Sequence, residues 1–103
     1  MENKTFTEED ITMIAFEIVA YAGEARSHLI SILRDVDDGN RDLVDEKLEK
    51  ANECINLAHK AQTDLLHAEA RGVKLPMNLT MIHAQDHLMT TLLLKDILPA
   101  LIK

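Results

Sequence analysis

The stretch Leu79 to Leu94 holds one charged side chain, Asp86, together with His83 and His87; everything else in it is apolar, Thr or Gln. A helix that is apolar on almost every side has to be buried on almost every side. The chain has 103 residues, room for a single domain spanning 1–103, and two partner helices from so short a chain cannot enclose the third. The expected remedy is self-association, with third helices from several copies meeting in the middle.

The rest of the sequence supplies those two partners. Thr7 followed by Glu8, Glu9 and Asp10 reads as a helix N-terminus, with Phe6 and Ile11 placed for a hydrophobic staple. Ile11, Ile14, Ile18, Ala22, Ala25, Leu29, Ile32 and Val36 then recur at helical spacing. The cluster from Asp37 to Asn40 is a turn, and Val44, Leu48, Ala51, Ile55, Ala58, Gln62 and Leu65 form the stripe of a second helix. Gly72 and Pro76 end it, Asn78 caps the third, and Pro99 should loosen that helix's last turn. The predicted helices cover about 8–37, 41–71 and 79–100. The fold class is all-α, an antiparallel three-helix bundle.

Within the third helix the heptad stripe Leu79, Ile82, Asp86, Met89, Leu93 and Ile97 puts a carboxylate inside the expected seam. Buried alone it would cost several kcal/mol or take up a proton, and copies around an axis would repel one another. A hard cation shared by carboxylate oxygens resolves both problems; a proton, or a hydrogen bond to a neighbouring Thr or Gln, is the alternative. His83 lies one turn before Asp86 and His87, about 60° from Asp86 and therefore at the margin of the seam. A rigid but reachable imidazole has what a nucleophile needs.

Other readings of His83-Ala-Gln-Asp-His87 are weaker. The spacing resembles an inverted zinc-peptidase motif, but the acid is Asp rather than Glu and no third ligand is evident. A di-iron site needs paired Glu-x-x-His motifs, which the chain lacks. The bland reading, histidines as core or surface filler, leaves the chain a structural or regulatory helical adaptor. His28, His59 and His67 are read as helix-face residues, Met81 and Met89 as packing, and Cys54 as mid-helix filler.

The run Leu79-Thr-Met-Ile-His-Ala-Gln-Asp-His-Leu-Met-Thr-Thr91 resembles the signature of the lactose/cellobiose/chitobiose-type enzyme IIA of the bacterial sugar phosphotransferase system. Ala15-Phe-Glu-Ile-Val-Ala-Tyr-Ala-Gly-Glu-Ala-Arg-Ser27 is similar to that family's first helix, and the likeness extends over essentially the whole chain. The resemblance implies a phosphocarrier rather than a stand-alone enzyme. His83 would accept a phosphoryl group, as the tele-phosphohistidine, from HPr and pass it to a cysteine of the cognate IIB. The IIB then phosphorylates a β-linked disaccharide entering through the membrane component IIC. Gln85 and His87 would support His83. The resemblance also implies a nine-helix homotrimer centred on the third helix, with one Mg²⁺ shared by Asp86 of each chain.

Composition narrows the classes from the other side. A net charge of −7 argues against a nucleic-acid binder or adsorption to anionic lipid. A single cysteine forbids an internal disulfide, the N-terminus is unlike a signal peptide, and no apolar run spans a bilayer. The expected location is the cytoplasm, and the resemblance implies a bacterial one.

Overall fold

A computed structural model describes residues 5–103. It contains α1 (Glu8–Asp37), α2 (Val44–Ala70) and α3 (Leu79–Leu101). The start of α1 is fixed by a reciprocal cap. Thr7 Oγ1 accepts from the Asp10 N–H at 3.0 Å, and the Asp10 carboxylate accepts from the Thr7 N–H at 2.9 Å. Phe6 packs against the apolar cluster to which Ile11 belongs.

The second helix begins at Val44, later than the expected residue 41. Asn40 Oδ1 accepts from the Asp42 N–H at 2.9 Å, a local turn that competes with helix at this point. Gly39 continues the turn with a φ of 81°. At the far end of α2, Gly72 takes a φ of 92° and the Val73 N–H returns to the Ala68 carbonyl at 3.0 Å. Asn78 caps α3 by accepting from the Met81 N–H at 2.9 Å. Pro99 does not end α3, which runs on to Leu101.

α1 is the spine. It packs along both other helices, whereas α2 and α3 meet each other only slightly. Asn78 at the start of α3 bonds Thr12, and Thr91 further along bonds Arg26, so α1 and α3 run parallel with α2 returning between them in sequence. The core is formed by Ile11, Ala15, Ile18, Ala22, Leu29 and Ile32 of α1 against Ala51, Ile55, Ala58 and Leu65 of α2 and Met81, Ala84, Leu88 and Leu98 of α3. The alanines let α1 approach its neighbours closely, and Thr91, also fully buried, donates its hydroxyl to the His87 carbonyl at 2.8 Å. The result is elongated and thin, with principal extents of 55 × 25 × 18 Å.

The predicted seam of α3 takes no part in this core. Leu79, Ile82, Asp86, Met89, Leu93 and Ile97 all lie on the outer face, and the five apolar members are 42% to 79% exposed. The third helix therefore has two apolar faces. One is buried against α1 and α2; the other is uncovered within one chain.

Candidate functional site

His83 and His87 lie on successive turns of α3. Their rings are nearly parallel, 11° apart in plane, with centroids separated by 6.1 Å. His83 is exposed and makes no hydrogen bond to any described residue, so its ring nitrogens are open to a partner. His87 is half-buried against α1. Gly23 of α1 lies under its ring: a Cβ at that position would stand 3.4 Å from His87 Nε2, in ordinary van der Waals contact. Burial lowers the His87 pKa, and the positive charges of Arg26 and of His83 push it the same way, against a pull upward from Asp86. His87 is thus held toward its neutral form.

Asp86 is exposed on the outer stripe, and its carboxylate has no partner among the described residues. The neighbouring hydroxyl that could have served it is used otherwise, because Thr90 donates to the Asp86 backbone carbonyl at 2.9 Å and to that of His87 at 3.1 Å. Among the described residues no group of three His, Cys, Asp or Glu side chains is placed to hold a metal. That removes the support a zinc-peptidase reading would need within one chain. A single hard oxygen donor on an apolar face suits a divalent cation only if other chains contribute more.

Gln85 does not stand beside His83 within the chain. Two residues along a helix are about 160° apart when the other way round is taken, and Gln85 turns to the opposite side. There it accepts a hydrogen bond from Gln62 of α2 and donates to Met81 Sδ at 3.3 Å. It lines an apolar hollow of about 260 Å³ with Leu65, Leu66, Leu75 and Met77, between α2 and α3. The buried Gln62 side chain joins two helices that otherwise barely touch.

Sequence reasoning singled out neither Gln62, Gly23 nor Arg26 for the site. Arg26, half-buried on α1, reaches across to α3. Its Nη2 donates to the His87 carbonyl at 3.2 Å and to Thr90 Oγ1, while Nε donates to Thr91 Oγ1 at 3.3 Å. The only sequence signal for it is a charged residue next to the buried stripe of α1. Its partners are more than 60 positions away, beyond any local pattern. His28, His59 and His67 lie on helix faces; His28 approaches Glu24 at 3.9 Å.

Comparison with known proteins places the chain among relatives of one family and one fold. Residues 13–103 match the family described as "PTS system, Lactose/Cellobiose specific IIA subunit". The chain is 53% identical over 95 residues to the PTS system lactose-specific EIIA component of Staphylococcus epidermidis, covering 92% of this chain and 91% of the relative. It is 48% identical to the protein of that name from Lactococcus lactis subsp. lactis, covering 92% and 90%. The crystal structure of the PTS cellobiose-specific enzyme IIA from Bacillus anthracis superposes with a TM-score of 0.85 at 37% identity, covering 98% of this chain and 91% of that one. The crystal structure of PtcA from S. mutans gives 0.89 at 37% identity, with 94% and 95% covered.

Proposed function

Since the chain belongs to the lactose/cellobiose-specific IIA family of the phosphotransferase system, we propose that it is a phosphocarrier and that His83 carries the phosphoryl group. The observation that carries this reading is the exposed His83 imidazole, free of hydrogen bonds to the described residues and stacked near a half-buried His87. The lone pair of one ring nitrogen attacks the phosphorus of phospho-HPr. The P–N bond to HPr breaks, and its electron pair returns to the HPr imidazole. In the second step a cysteine thiolate of the cognate IIB attacks the same phosphorus, and the pair of the breaking P–N bond returns to His83. No proton need leave the attacking nitrogen when it is already the unprotonated one. Beyond the His83 nitrogen itself, the chain contributes position and electrostatics.

The uncovered face of α3 supports a reading in which copies of the chain assemble. Leu79, Ile82, Met89, Leu93 and Ile97 form a continuous apolar stripe with Asp86 inside it, and a homotrimer around that stripe buries all six. Three Asp86 carboxylates would then meet, and they are the donors suited to one Mg²⁺, whose charge would offset their repulsion. No helix among the described residues is long and apolar enough to cross a membrane, which suits a cytoplasmic relay to a membrane-bound IIC. The cargo is a β-linked disaccharide, with lactose favoured by the names of the relatives at 48% and 53% identity.

The test is incubation with enzyme I, HPr and phosphoenolpyruvate. The expected result is an acid-labile mass gain of one phosphoryl group that is lost in His83→Ala and kept in His28→Ala. A wild-type chain that gains nothing, or a His83→Ala chain that still gains it, overturns the reading and leaves a structural helical adaptor.

A further inference from the structure

Arg26 is unusual in a chain with 18 acidic residues. The ion pairs among the described residues are Lys47 with Asp35, Lys60 with Asp64, and the contact of His28 with Glu24. None involves Arg26. Its guanidinium is half-buried and spends its donors on three neutral acceptors, all on one turn of α3: the His87 carbonyl and the hydroxyls of Thr90 and Thr91. The two hydroxyls are spoken for in turn, since both donate to the His87 carbonyl, at 3.1 and 2.8 Å. Every bond in the cluster is directional, and none cancels the charge. A half-buried cation without a counter-ion is costly, and a purely mechanical brace between helices would be cheaper with a neutral side chain.

We propose that Arg26 is a positioning residue of the relay, which fixes α3 against α1 at the His83–His87 turn and supplies an uncancelled positive charge to the phosphorylated form of His83. This rests on His83 being the phosphoryl carrier. Arg26 forms no bond to phosphorus. The guanidinium lies beyond the His87 turn, on the order of 10 Å along the helix from the His83 ring. At that range, with partial screening, a full charge alters the free energy of a phosphoryl dianion enough for a change of about three- to ten-fold in an equilibrium. Asp86, on the other flank of His83, carries the opposite sign. At His87 the two charges act in opposite directions.

The experiment measures the equilibrium of phosphoryl transfer between phospho-HPr and the chain, with thermal unfolding followed in parallel. The variants are Arg26→Lys, Arg26→Gln, Arg26→Met and Thr91→Val. A role in helix docking alone would lower the melting temperature and leave the transfer equilibrium where it was. The expected result is a shift toward phospho-HPr of about three- to ten-fold in Arg26→Gln and Arg26→Met. Arg26→Lys, which keeps the charge, stays within about two-fold of wild type, as does Thr91→Val, even if both melt earlier. Arg26→Met retains the aliphatic stem, so one neutral variant remains should Arg26→Gln fail to fold. Equilibria of both neutral variants within two-fold of wild type would overturn the proposal while leaving His83 as the carrier. A wild-type chain that takes no phosphoryl group would instead remove the relay itself.

Discussion

Leu93→Asp separates the two apolar faces of α3. Leu93 is 59% exposed in the single chain, so its replacement removes little that holds the monomer together, and the chain's own stability should change by no more than about 0.5 kcal/mol. In an assembly around the outer stripe the same side chain is covered. Burying the exposed part of one leucine contributes about 1–2 kcal/mol, hence about 3–6 kcal/mol over three copies. The new carboxylates add several kcal/mol each for desolvation, besides repelling one another. The trimer should therefore dissociate at micromolar concentration while helicity is kept. Sedimentation velocity with far-UV circular dichroism reads both quantities. Leu88→Ala is the control on the opposite face: Leu88 is fully buried, and its truncation should cost about 2–5 kcal/mol of chain stability. A Leu93→Asp variant that sediments as wild type, or a wild type that sediments as a monomer, would refute the assignment of the stripe to assembly.

Asp86→Leu should preserve or strengthen assembly, because it removes repulsion and desolvation together; dissociation on ultracentrifugation would make the cation indispensable. Gly23→Ala should raise the melting temperature by a few degrees, since glycine inside a helix costs about 0.5–1 kcal/mol and the new methyl meets His87 Nε2 only at contact distance. A lower melting temperature would mean that the ring cannot share that space. Cys54 is 9% exposed, and burial first, then the hydrogen bond and charge of Glu24 and the charge of Glu53, raise its thiol pKa. It should be slow to react with a disulfide reagent in the native chain and quick in urea, and native reaction at the free-thiol rate would contradict this. In the unfolded chain the thiol ionises at lower pH than in the folded one. Stability therefore falls as pH rises past about 8.5, a loss that should be absent from urea titrations of Cys54→Ala.

The helices were legible because their signals are local. Thr7 with its acidic run, Asn78, Gly39 and Gly72 each punctuate the chain through chemistry within a few residues, and the spacing of Ile11, Ile18, Ala25, Leu29 and Ile32 marks the face that is buried. The start of α2 was misplaced because the turn at Asn40 competes with the helix, and Leu43 offers no side-chain cap. For α3 the pattern fixed the angles between side chains but not which angle faces which neighbour. The stripe containing Asp86 is the outer one, and Met81, Ala84 and Leu88 form the inner one. Gln85 shows the same ambiguity, since sequence adjacency to His83 says nothing of the helix that will claim its amide. Arg26 and Gln62 were invisible as members of the site, because their partners are set by the tertiary fold alone.

The double-sided α3 makes self-recognition and self-folding independently mutable. Met81, Ala84 and Leu88 answer to α1 and α2, while Ile82, Met89 and Leu93 interleave with them along the same backbone and answer to neither. Drift on one set of positions can alter how copies meet without loosening any of them, and His83, set on the border between the two sets, inherits its orientation from the first and its surroundings from the second.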